Sequence, residues 1–188
     1  MPRTPRRILA LLLAGAALAS LAACAPAAPA VTDAPSASPR ATETPIFASD
    51  EEALAAAVAA YEHYLDAEQR IVESDDVQVE SIAATTTSDF ADELIAQFES
   101  LRSSSLRLSG RGQIDSERIA EFGAGKSGIY LTMYACSDVS DVRVIDASGV
   151  DVTPERAERV PVVIEFEGTE KDTLLVAGSN KWSGDDFC

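Results

Sequence analysis

The sequence predicts an α+β domain, with N-terminal helices packed on a curved antiparallel sheet, from three observations. Apolar residues recur at helical spacing in two stretches between Ser49 and Leu101. After Ser103 the period falls to two, and turn residues separate β-rich runs. Helices come first and strands follow one another, the order that sets helices on one face of an antiparallel sheet.

The first helix is expected to start at Ser49. Ser49 and Glu52 have capping-box spacing, and Asp50, Glu51 and Glu52 put acids in the first turn. Leu54, Val58, Tyr61, Leu65 and Val72 form its apolar stripe, widened on one side by Ala57, Tyr64 and Ile71. A second helix is expected from about Ser88 to Leu101, with Phe90, Leu94, Phe98 and Leu101 inward. The intervening SDDVQVESIAATTT has room for a short helix. Leu106 to Gln113 alternates, and Gly128–Ser137, Val142–Ile145, Val160–Gly168 and Thr173–Ala177 are β-rich. Asp146-Ala-Ser-Gly149 is a turn signal.

The 188-residue chain does not enter this domain at its start. Arg3, Arg6 and Arg7 precede an apolar run from Ile8 to Ala19, which is too short to span a bilayer and has the form of a secretory signal. It ends in Leu21-Ala22-Ala23-Cys24, which resembles the lipobox of bacterial lipoproteins. That resemblance implies a diacylglyceryl thioether on the Cys24 sulfur and cleavage that makes Cys24 the mature N-terminus. One acyl chain binds a bilayer weakly, at about 10⁴ M⁻¹, whereas two anchor a protein stably. Residues 25–46 are rich in Ala, Ser and Thr and carry Pro26, Pro29, Pro35, Pro39 and Pro45. Such a segment cannot bury a core and is expected to be a disordered tether, reaching up to roughly 70 Å when extended. The expected division is therefore a signal peptide over 1–23, lipidated Cys24 and linker over 24–46, and one folded domain over 47–188.

Charge excludes some functions. The formal charge is −16, and removing the leader's three Arg leaves 12 basic against 31 acidic residues, or −19. Nucleic acid and anionic lipid surfaces both call for the opposite sign. Acidity on a tethered domain promotes solubility and keeps it off the bilayer.

Candidate chemistry is sparse. Gly123-Ala-Gly125-Lys-Ser-Gly128 matches G-x-G-x-x-G in form, but a β-rich run follows it where a nucleotide site needs a helix. A phosphate loop would need glycine at 120, where Ala120 stands. A strand-to-strand turn is the expectation. His63, the one histidine, lies about 180° from Leu54 round the helix and is expected at the surface. Asp138, Asp141 and Asp146 lack calcium-loop spacing, so no metal is expected. No cofactor is expected either.

Three cysteines are present. With Cys24 assigned to lipid, Cys136 and Cys188 remain, and an oxidising compartment permits a disulfide between them. The bond would tie the tail, with Trp182 and Phe187, to the strand bearing Cys136. Two alternatives stand beside it: a nucleophilic Cys136 thiolate, for which neighbouring residues supply no cation, and intermolecular pairing through Cys188.

Two or three helices followed by a curved antiparallel sheet resemble the NTF2-like (SnoaL-like) cone, with a cystatin-like arrangement close in shape. The lipobox, the tether, YACSDVSDVRVIDASGVDVT and the terminal WSGDDFC are similar to actinobacterial lipoproteins of uncharacterised activity, as is the bias to Arg over Lys. The resemblance implies a membrane-anchored extracytoplasmic protein whose domain binds a small ligand or an envelope protein without catalysis. An alternative it implies is a lyase or isomerase using Tyr61 and Asp138, the Asp as a general base of raised pKa in an apolar pocket. A third is a scaffold module of the cell envelope, homodimeric through its sheet.

Overall fold

The computed structural model describes residues 46–188 apart from 75, 126 and 127. The leader, Cys24 and nearly all of the tether lie outside the described residues. Helix α1 spans Asp50–Glu73 and helix α2 Ser88–Ser103, with a short 3-10 helix, Val79–Ala84, between them. Six strands follow: β1 (Arg107–Ser109), β2 (Gln113–Gly125), β3 (Gly128–Asp138), β4 (Arg143–Ile145), β5 (Arg159–Gly168) and β6 (Leu175–Lys181). β2-β3-β5-β6 form an antiparallel sheet, and β1 pairs with β4 in a separate ribbon. The α+β class is as the sequence predicts.

Ser49 caps α1 through its hydroxyl, which accepts from the Glu52 N–H at 3.3 Å. The Glu52 carboxylate reaches back to the N–H of Ala48 rather than that of Ser49, and it also meets Lys171. The buried stripe of α1 is centred on Ala53, Ala57, Tyr61, Tyr64 and Ile71. Leu54, Val58 and Val72 are only part-buried. Ala53 and Ala57 are fully buried where the helix contributes its smallest side chains to the core. At the far end, Arg102 of α2 donates to the carbonyls of Ile71 and Val77, satisfying backbone that the end of α1 leaves open.

β3 sets the two faces of the sheet. Ile129, Leu131, Met133 and Ala135 point to the helices, and Tyr130, Thr132, Tyr134 and Cys136 point away. β5 continues the inner layer with Val162, Ile164 and Phe166, which face Ala135, Met133 and Leu131 across the ladder. Phe47 adds an edge-on contact with Phe122, with ring centres 5.3 Å apart. One sheet edge, β6, is covered: Thr87 donates to Val176, and Val176 donates to Thr85. The other edge, β2, is irregular, with register breaks between Asp115 and Arg118 and between Ile119 and Glu121. Ser116 takes a left-handed φ of 58° at the first break. Such bulges bend a strand and increase its twist.

The glycine-rich stretch is a strand-to-strand connection, as expected, with Gly125 paired to Gly128 across the β2–β3 hairpin. Gly128 has φ 130°, and a Cβ there would stand 2.2 Å from the Gly168 carbonyl oxygen, so only glycine fits. At 146–149 the Asp146 carboxylate accepts from the N–H of Ser148 and of Val150, closing the predicted turn.

Cys136 and Cys188 are disulfide-bonded, with Cα atoms 5.7 Å apart. The tail folds back over the outer face of the sheet. Trp182 meets Tyr134 edge-on at 5.0 Å, and its backbone N–H donates to the Pro161 carbonyl. Arg118 lies over the Phe187 ring at 4.3 Å, and Arg159 donates to the Cys188 carbonyl.

Candidate functional site

Tyr61 and Asp138 do not share a pocket. Tyr61 projects from α1 into the core side of the sheet, where its hydroxyl is hydrogen-bonded to that of Ser179 at 3.3 Å. Asp138 falls on the parity of Cys136 and Tyr134, on the opposite face. Its carboxylate accepts from the Ser140 N–H at 2.8 Å. The Ser140 hydroxyl and that N–H hold its pKa below the ordinary aspartate value, the reverse of what a general base at neutral pH needs. Burial pushes the Tyr61 phenol up to about 12, against the pull of the Ser179 bond, so it stays protonated. The acid–base pair drawn from the sequence is corrected on both counts, position and acidity. Strand parity is the physical reason: one residue along a strand reverses the side-chain direction.

What lies beside Tyr61 is a cavity of about 280 Å³. α1 contributes Tyr61, Tyr64, Leu65, Glu68 and Val72, and the β3 end contributes Ser137 and Val139. Leu108 and Arg111 come from β1 and the turn after it, and Val142 and Arg156 from the segments flanking β4. The wall is mixed: the aromatic and aliphatic side chains share it with Glu68, Gln69, Arg111, Gln113, Ser137 and Arg156, and small-molecule sites likewise combine apolar surface with placed polar groups. A wider trough of about 640 Å³ beside His63 is shallow and open to solvent. His63 is exposed, as expected.

Charge in the cavity is unevenly committed. Arg111 donates to Glu62 and, at 2.9 Å, to Asp66, and the Glu62 bond above all raises its pKa. Arg156 donates to two backbone carbonyls, Val139 at 3.1 Å and Val142 at 2.7 Å. Glu68 has no salt-bridge partner among the described residues. Burial raises its carboxyl above the usual glutamate range, partly offset by the Tyr64 hydroxyl. The Tyr64 phenol in turn is pushed well up by burial and by the Glu68 charge. The Nε atoms of Arg111 and Arg156 are buried without a hydrogen-bond partner.

Glu68 was legible in the sequence. It stands seven residues after Tyr61, about 20° away round the helix, so it is an acid set inside the apolar stripe. Arg156 gave no such signal, because the fold alone brings its loop to the cavity. Among the described residues no group of three or more metal-ligating side chains clusters. No described helix is long and apolar enough to cross a membrane.

No family model and no curated protein matches the chain. Among solved structures it is similar to the crystal structure of the intermembrane space region of chloroplast protein ARC6, with a TM-score of 0.44. Identity is 9%, over 68% of this chain and 97% of that one.

Proposed function

We propose that this protein is an extracytoplasmic lipoprotein, anchored through acylated Cys24, whose domain is an NTF2-like cone that holds a small ligand without transforming it. The observation that carries the binding half is the cavity between α1 and the end of the sheet, where apolar side chains and polar groups converge. A disulfide supports an oxidising compartment. The order of basic start, apolar run and lipobox supports the anchor. The scaffold reading draws less support. The outer sheet face carries Arg118, Glu165 and Glu167, and the tail covers one end of it, so its described residues offer no broad apolar patch to a second copy.

Both halves can be tested. Cys24→Ala is expected to leave an unprocessed precursor or release the protein into the medium, read by fractionation and intact mass. Membrane-bound, acylated Cys24→Ala protein would end the lipoprotein reading. For the domain, a small-molecule screen followed by methyl NMR should move the resonances of Leu65, Val72, Leu108 and Val142 first. Hits that perturb only methyls elsewhere would end the binding reading.

A further inference from the structure

The cavity holds one carboxylate and one guanidinium that have no salt-bridge partner among the described residues. Glu68 is on the α1 wall, and Arg156 is on the wall formed by the loop before β5. They do not pair with each other, since no Glu68–Arg156 contact reaches ion-pair distance. The other charged groups nearby are engaged. Arg111 is neutralised by Glu62 and Asp66. Asp151, whose charge senses Arg156, sits against Arg143 at 3.6 Å. Gln69 donates to Glu73, and the Tyr61 hydroxyl is held by Ser179. The same cavity is lined by Leu65, Val72, Leu108, Val139 and Val142.

An isolated charge removed from water is costly, and an occupant that pairs it removes that cost. Glu68 is met by the Tyr64 hydroxyl and Arg156 by two backbone carbonyls, so each still lacks an opposite charge, and a cavity that also offers apolar surface suits a ligand carrying the complementary pair. We propose that the cavity binds a small zwitterion of the free amino acid type, its ammonium on Glu68, its carboxylate on Arg156 and its apolar side chain against Leu65, Leu108 and Val142. This deepens the small-ligand reading and rests on it. The volume, about 280 Å³, is at the small end for ligand sites and suits a single amino acid better than a peptide.

The test uses the folded protein and the twenty standard free amino acids, screened by calorimetry with methyl NMR to place the site. The tightest binder is then compared with its decarboxylated amine and its deaminated acid. Each truncation is expected to weaken binding by about tenfold or more, the scale of a lost charge-assisted hydrogen bond. Glu68→Gln should reduce the intact amino acid to the affinity of the deaminated acid, and Arg156→Gln to that of the amine.

Glu68→Gln also carries its own folding control. Burial raises the Glu68 pKa in the folded state, so stability falls as pH climbs from the unfolded value through the raised one. The titratable and charged groups that line the cavity with Glu68 are Tyr61 and Tyr64 on α1, Arg111 after β1 and Arg156 before β5, and of these Tyr64 hydrogen-bonds it. The Gln variant should therefore melt no lower than the parent at pH 7.5, with any gain fading towards pH 4. If the amine or the acid binds at the cavity as tightly as the amino acid, the zwitterion inference is overturned and the small-ligand reading stands. If neither the amino acids nor a panel of neutral apolar fragments reaches the cavity, both are overturned.

Discussion

A Cys188→Ala variant is expected to lose about 4 kcal/mol of stability, the largest effect of any single exchange outside the core. Cys136 and Cys188 are 52 residues apart, so the bond closes a long loop, and in the loop-closure picture the unfolded chain loses that much entropy on cross-linking. For a domain of this size the melting temperature should fall by roughly 15 °C. The tail keeps weaker holds in the variant, namely Trp182 against Tyr134 and the Trp182 backbone N–H on the Pro161 carbonyl. It should therefore fray locally before the sheet melts. Reductant should bring the parent down to the variant, and alkylation without reductant should find no thiol in the parent domain. Two alkylated thiols in the untreated parent would refute the bond.

Phe166→Ala should cost about 3–5 kcal/mol, because it opens a cavity at the centre of the inner layer. Phe166 is 1% exposed, and in the ladder it lies between Leu131 of β3 and Val176 of β6, both buried. β5 is flanked by strands on both sides, so its backbone has little freedom to collapse into the gap. Chemical denaturation gives the measurement, with Val152→Ala, at a site 44% exposed, expected to stay within about 0.5 kcal/mol of the parent. A Phe166→Ala loss as small as that of Val152→Ala would mean the inner layer is not built as described.

The elements that were legible have clean periods. α1 and α2 show helical spacing over several turns, and β3 and β5 are dense in β-branched and aromatic residues. β2 was not legible, although it is the longest strand at 13 residues. Its sequence, QIDSERIAEFGAG, mixes acids, Arg and Ala, and two register breaks interrupt the alternation that would reveal it. An edge strand can carry such residues because one side of its backbone is unpaired. The stripe of α1 was centred slightly to one side for a related reason: Ala53 and Ala57 weigh little on a hydrophobicity scale, yet they are among the most deeply buried residues of the helix.

For the site, the helix stripe is informative and the strand end is not. Tyr61 is at the cavity, as its place in the stripe implied. Asp138 is the acid that the NTF2-like resemblance pairs with Tyr61, but strand parity sends it to the face shared with Cys136 and the folded-back tail. The acid that does reach the cavity, Glu68, interrupts the apolar face of α1 and carries a burial-raised pKa. Arg111 and Arg156 come from loops whose positions depend on the ribbon of β1 and β4, which pairs segments more than thirty residues apart. No local pattern marks them.

The account turns on whether the cavity is occupied in the protein's own setting. Native mass spectrometry of the full chain purified from its producing host answers that most directly, with a Leu108→Trp variant that fills the cavity as its control. The expected result is an excess mass of one small molecule on the parent and none on the variant. A parent of bare polypeptide-plus-lipid mass, identical in this respect to the filled variant, would contradict ligand binding as the work of the domain.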